Sequence, residues 1–120
     1  MLLRGIIGKN RRAEGFAAED IAAAYLQKHN CRILQRNYQI RFGEVDIIAE
    51  DDGDIIFVEV RKRGSIIDAA ASITPSKQKK LRAAAAHYLA KLPFPAPCRF
   101  DAILTDGKGN IKWLKNAFLP

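Results

Sequence analysis

Two runs rich in β-forming residues, 44–50 and 55–61, flank the tetrad Asp51-Asp52-Gly53-Asp54. An Asp-Gly pair between two such runs is a strong short hairpin signal, because both central residues of a type I′ turn need φ > 0. Placing the turn at Asp52-Gly53 sets the pairing of everything beside it. Glu50 falls opposite Ile55, Ile48 opposite Phe57, Asp46 opposite Glu59 and Glu44 opposite Arg61. The intervening pairs are Ala49 with Ile56, Ile47 with Val58 and Val45 with Val60. Strand alternation puts these two sets on opposite faces. One face is wholly apolar and belongs to a core. The other is apolar in the middle and acidic toward its ends.

On that second face Asp46 and Glu59 are expected face to face, with Cβ atoms about 4.5–5.5 Å apart. Two like charges about 5 Å apart repel by about 3 kcal/mol at an effective dielectric of about 20. A neighbouring arginine, a shared proton or a divalent cation could offset this. Paired carboxylate oxygens suit Mg²⁺ or Mn²⁺, which take hard oxygen ligands and keep waters for a phosphate substrate. Arg61 returns to the same face and would sit beside the acids as a phosphate-type donor. Lys62 faces the other side in this register. The same residues also fit a surface hairpin closed by a Glu59–Arg61 ion pair.

Charge is segregated along the chain. The 120 residues carry 20 Lys plus Arg against 13 Asp plus Glu, a formal charge of +7. More than half of the acids lie in residues 44–59: Glu44, Asp46, Glu50, Asp51, Asp52, Asp54 and Glu59. Basic residues collect on either side. Arg4, Lys9, Arg11 and Arg12 form an N-terminal arm over residues 1–12, ahead of a single domain over 13–120. Arg61, Lys62, Arg63, Lys77, Lys79, Lys80 and Arg82 follow the acidic window. Such a balance suits a polyanionic partner, nucleic acid first.

Several classes are disfavoured. With 48% hydrophobic and 28% charged residues the composition is globular rather than disordered. No apolar run approaches the roughly 18 residues of a membrane span. Met1–Ile7 is interrupted by Arg4 and Gly5, which argues against a secretory signal. Cys31 and Cys98 read as reduced structural thiols, so a cytoplasmic location is expected. His29 and His87 have no second metal ligand nearby in sequence. Aromatics are sparse and scattered, at 8%, and do not suggest a stacking platform for single strands.

Two helices bring polar groups to apolar faces. Residues 11–29 are Ala-rich and free of proline, and read as a helix. On it Glu19 projects among Phe16, Ala22, Ala23 and Leu26, where a carboxylate costs several kcal/mol unless paired or coordinated. Reaching a metal beside Asp46 would explain it, as would an arginine partner. A second helix starts at Thr74-Pro75, Thr as N-cap and Pro at the first helical position, and stops before Pro93. Gln78 shares its face with Leu81, Ala85, Tyr88 and Leu92. It could support the acids or simply cap the first turn. Lys77, Lys79, Lys80 and Arg82 surround that helix start, where phosphates are favoured. Strands are expected at about 31–41, 98–105 and 111–114, and residues 64–74 as an irregular or briefly helical connection. The order α-β-β-β-α-β-β implies an α/β fold with helices packed on a mixed sheet.

Gly43-Glu44-Val45-Asp46-Ile47-Ile48-Ala49 followed by Phe57-Val58-Glu59-Val60-Arg61 resembles the signature of the YraN family of bacterial proteins. Gly15, Glu19, Ala22, Tyr25 and Leu26, the pair Lys77-Gln78, Arg99-Phe100-Asp101 and Asn116-Ala117-Phe118 resemble it too. The match spans roughly residues 13–118. That family is similar to the PD-(D/E)xK nucleases, especially the archaeal Holliday-junction resolvases. The resemblance implies a restriction-endonuclease-like core, ordered α-β-β-β-α-β, and Mg²⁺-dependent hydrolysis of phosphodiesters. It makes Asp46, Glu59 and Glu19 the metal-binding acids and Gln78 a supporting polar residue. It places Arg61 where the motif has Lys, and an arginine cannot be deprotonated to act as a base. It can still hold a water or a phosphate by charge.

Three functions are therefore set against one another. The first is a metal-dependent endonuclease using Asp46, Glu59, Glu19, Arg61 and Gln78, with DNA held by Arg11, Arg12, Lys62, Arg63, Lys77, Lys79, Lys80 and Arg82. The second is a non-catalytic nucleic-acid-binding protein of the same fold. The third is a protein-interaction module using an edge strand. A homodimer would suit a two-strand substrate, though nothing in the sequence demands one.

Overall fold

The structure is a computed structural model and describes residues 17–119. The N-terminal arm, with Arg11 and Arg12, lies outside the described residues, as does Phe16. Helix α1 covers residues 17–28. Strands β1 (Arg32–Ile40), β2 (Gly43–Asp51) and β3 (Asp54–Lys62) follow. Helices α2 (Ile66–Ala71) and α3 (Pro75–Ala90) lead to β4 (Cys98–Thr105) and β5 (Ile111–Phe118). The five strands form one mixed sheet in the order β1-β2-β3-β4-β5. Only β3 and β4 run parallel, across the α2–α3 connection. This is the α/β arrangement expected of a restriction-endonuclease-like core.

The hairpin between β2 and β3 has the expected register, from Asp51 opposite Asp54 to Ile47 opposite Val58. Its turn residues Asp52 and Gly53 both adopt positive φ, 51° and 91°, as a type I′ turn requires. These strands occupy the middle of the sheet and are covered on both faces. Ala18, Ala22, Ala23 and Leu26 of α1 pack on Ile47, Ala49, Ile56, Val58 and Ile103. Leu81, Ala84 and Ala85 of α3 pack on Val45, Ile48, Phe57 and Phe100 from the other side. Ala69 and Ile73, in and just after α2, cover Ala102 and Leu104. Apolar side chains on both faces of β2 and β3 therefore each meet a helix. No helix among the described residues is long and apolar enough to cross a membrane.

The Thr74 hydroxyl accepts the Lys77 N–H at 3.2 Å, and Pro75 occupies the first helical turn, as expected. The connection 64–74 contains the short helix α2, capped by the Ser65 hydroxyl, which accepts the Asp68 N–H at 3.0 Å. Strand β5 continues past Leu114 to Phe118. A register shift against Phe100 and Ala102 carries it through Asn116 in the left-handed region, φ 53°.

One face assignment is corrected. Val45 was expected beside Val60, yet it packs with Tyr38, Ile48 and Phe57 while Ile47 packs with Val60 on the opposite face. Residues of equal parity thus point to opposite sides, so the alternation slips by one between Val45 and Ile47. The reason lies at Asp46. The β2–β3 backbone pairing ends at Ile47–Val58, and the Asp46 carboxylate takes over by accepting the Val60 N–H at 2.8 Å. On the β1 side Asn37, between the pairs Arg36–Ile47 and Tyr38–Val45, adopts φ 54°. An irregularity in both strands therefore coincides with the acid that matters most.

Candidate nucleic-acid-binding and metal site

The slip at Asp46 opens a cleft of about 360 Å³ where the end of β3 meets α1 and the start of α3. Asp46, Glu44 and Glu59 come from the hairpin, Ala18 and Glu19 from α1, and Lys77 from α3. Arg61, Lys62 and Arg63 form its basic rim. Acids from three separate stretches of chain thus converge beside four cationic side chains.

The acids are crowded and poorly solvated. Glu59 is only 7% exposed. Burial, reinforced by the Asp46 charge, pushes its carboxyl up to about 8. Burial also raises Asp46, against the Val60 N–H, which favours its charged form. Glu19 is pushed up to about 7, again by burial first and then by Asp46. Desolvation and like charge act in the same direction on all three. A cation held among them would relieve both.

Part of that relief is built in. Arg61 approaches Glu59 at 3.2 Å. Arg36, from β1, approaches Glu19 at 3.6 Å and Asp20 at 2.7 Å. The pairing is incomplete, because Glu19 Oε1, Arg36 Nε and Arg61 Nε are buried without hydrogen-bond partners. Groups in that state lose their hydration without full replacement. Among the described residues, no group of three His, Cys, Asp or Glu side chains converges closely enough to enclose a metal ion. A dedicated cage is not what Mg²⁺ requires; it is commonly held by one or two carboxylates and retains several waters. Asp46 and Glu59, adjacent and oxygen-only, fit that demand, and Glu19, whose Oε1 lacks a hydrogen-bond partner, lines the same cleft.

The sequence brings most of its candidates here. Asp46, Glu59, Glu19, Arg61, Lys62, Arg63 and Lys77 all line the cleft. Lys62, assigned by alternation to the far side, also reaches the rim, its stem lying against Gly107. Gln78 stands apart from them: its amide donates to the Ile73 carbonyl at 3.4 Å, just before α3, and it is not among the residues lining the cleft. Lys79 and Lys80 are exposed and Arg82 is half-buried, and these three stand outside the cleft. Arg36 and Asn37 were not singled out in the sequence. Arg36 is visible as a charge in the middle of a strand pattern, and Asn37 as a residue that tolerates the left-handed conformation.

The model of the uncharacterised protein family UPF0102 matches residues 18–105, from the first described turn of α1 to the end of β4. This chain belongs to that family. A UPF0102 protein of Nitrosomonas eutropha is 50% identical over 107 residues, covering 88% of this chain and 92% of its relative. One from Nitrosomonas europaea is 48% identical over 109 residues, with the same coverage, 88% and 92%. One from Nitrosococcus oceani is 47% identical over 114 residues, covering 89% and 92%. The YraN resemblance read from the motifs is thereby confirmed, and the UPF0102 match includes every acid of the cleft.

Proposed function

We propose that this UPF0102 protein binds nucleic acid, DNA foremost, and hydrolyses phosphodiester bonds with the help of a divalent cation. The observation that carries the reading is the adjacency of Asp46 and Glu59 in a cleft rimmed by Arg61, Lys62, Arg63 and Lys77. Two adjacent carboxylates whose proton affinity burial raises, set among cations, match the needs of a cation and a phosphate together.

Asp46 and Glu59 would hold Mg²⁺ or Mn²⁺, with Glu19 close behind them. A bound ion of this kind supplies Lewis acidity and a water of lowered pKa. The remaining work falls to the chain. The Val60 N–H fixes the Asp46 carboxylate, so the acid enters the cleft in one orientation. Arg61 stays charged throughout and can donate to non-bridging phosphate oxygens as charge develops there. Helix α3 has no acidic residue in its first turn. Lys77 there stands at the positive end of the helix dipole, an arrangement that favours an anion. Lys62 and Arg63 continue the positive rim past the end of β3 and would position a phosphate backbone.

The test is incubation of purified protein with branched and linear DNA, in Mn²⁺ or in EDTA. Cleavage that requires the metal and disappears in Asp46→Ala is expected. Cleavage in EDTA, or cleavage surviving that substitution, would sink the reading.

A second reading is favoured by the Glu59–Arg61 contact at 3.2 Å. An arginine that neutralises Glu59 internally, in place of an amine able to lose a proton, suits a protein that binds nucleic acid without cutting it. Salt-dependent binding unaffected by Asp46→Ala, with no cleavage in any metal, would establish that alternative.

A further inference from the structure

Glu44 lines the acidic cleft and also a second cavity, of about 440 Å³, beneath the β1–β2 turn. The turn consists of Arg41 and Phe42 between the paired residues Ile40 and Gly43. Phe42 is 71% exposed. The Arg41 guanidinium lies 5.1 Å from the centre of its ring, and Lys80 of α3 also lines the cavity. An exposed ring on a floppy loop would mean little. This turn is clamped: a Cβ on Gly43 would run into the Lys80 carbonyl, so the backbone of the turn sits directly on α3. The ring is therefore held out by a two-residue turn with little freedom to fold back.

We propose that Phe42 stacks on a single unpaired base of the nucleic acid whose backbone enters the acidic cleft. The inference rests on the nucleic-acid reading above and adds a substrate class to it. A base has an apolar π-face that the ring covers, and the phosphates on either side of it carry charges that Arg41 and Lys80 can meet. Continuity through Glu44 places that base within a short stretch of the phosphate at Asp46 and Glu59. A continuous duplex buries its base faces and offers none to the ring. A flap, bulge or single strand does. The few aromatics of the chain argue against a platform for successive bases, and one ring accommodates one base. A membrane surface is the poorer fit, because one exposed ring on a two-residue turn offers no continuous apolar face to bury in it.

The experiment uses the full chain and two DNA probes of equal length, one fully paired and one with a single unpaired 2-aminopurine. Affinity and 2-aminopurine fluorescence are read in the presence of EDTA. The unpaired probe is expected to bind about ten-fold more tightly than the paired one, with quenching of the fluorophore. Phe42→Ala should abolish the quenching and bring the two affinities together, and Phe42→Trp should retain both effects. Equal wild-type affinity for the two probes, or quenching that persists in Phe42→Ala, would overturn the stacking assignment while leaving the nucleic-acid reading standing. Failure of the wild type to bind either probe would overturn both. Binding to anionic lipid vesicles that Phe42→Ala removes would replace the base with a membrane.

Discussion

The Asp46 carboxylate accepts the backbone N–H of Val60 at 2.8 Å, taking the place of a ladder bond where β2 and β3 stop pairing. This one bond sets the direction of the acid and the opening of the cleft. It also separates structural from chemical effects of substitution. Asp46→Ala leaves a half-buried N–H unpaired and should cost about 1–3 kcal/mol. Asp46→Asn keeps an acceptor, so its urea midpoint should stay near wild type while metal-dependent cleavage falls at least about a hundred-fold.

Stability should fall as pH rises. Glu19 and Glu59 hold their protons up to about 7 and about 8, against an ordinary value of 4.5 in the unfolded chain. A raised carboxyl contributes stability that is complete below the unfolded value and is lost as pH climbs through the folded one. Melting temperature should therefore decline between about pH 5 and pH 8, and millimolar Mg²⁺ should flatten the decline. Asp51, whose carboxyl Arg99 holds low, loses its contribution only at more acid pH and does not disturb that window. A melting temperature that climbs over this range, in the absence of metal, would contradict the burial of the acids.

Asp101 is fully buried and carries a different load. It accepts Arg99 Nε at 3.0 and 3.1 Å, Trp113 Nε1 at 2.9 Å and the Asn116 N–H at 3.0 Å. Arg99 continues to Asp51 and Asp54 at the end of the β2–β3 hairpin. The cluster ties β4 and β5 to that hairpin, remote from the cleft. Asp101→Ala leaves Arg99 and Trp113 without their shared acceptor and should destabilise the fold by about 3–5 kcal/mol, measured by chemical denaturation. Binding of DNA to the folded fraction should be unchanged.

Gly43→Ala tests the seat of the β1–β2 turn. The added methyl meets the Lys80 carbonyl and lies 3.0 Å from the Ala84 nitrogen. Backbone on both sides cannot yield as a side chain would, so a loss of about 1–3 kcal/mol is expected in thermal or urea unfolding. Gly64→Ala, with nothing within 4 Å of the new carbon, is the control and should stay near wild type.

Lys77 tests the basic rim. Its replacement by Ala should weaken DNA binding similarly for all sequences and reduce the slope of affinity against salt by about one. Unaltered salt dependence would remove α3 from the interface.

Much of the fold was legible because it rests on local chemistry. Asp52-Gly53 admits a positive-φ turn, and that turn alone sets the partners from Asp51 to Ile47. Thr74-Pro75 marks a helix start through a hydroxyl and a missing N–H, both confined to one turn of chain. Apolar residues on both faces of β2 and β3 require a helix on each side. The acids, too, could be found, since a close pair of carboxylates across a hairpin is visible in the spacing.

Other features depend on partners far away in the chain. Val45 leaves its expected face because Asn37 and Asp46 interrupt the alternation, a slip that no period-two rule contains. Gln78 has two chemically equal uses, and the Ile73 carbonyl takes it. Glu19 is visible as a misplaced charge, but its pairing with Arg36 exists only because α1 lies across β1. The Arg99–Asp101 cluster joins residues from both hairpins and is set by the packing of β5. Sequence by itself determined the Asp52-Gly53 turn, the Thr74 cap and the hairpin pairing next to the turn, where the deciding forces act within a few residues. The tertiary structure alone decided which buried charges meet, because that depends on which helix covers which face of the sheet.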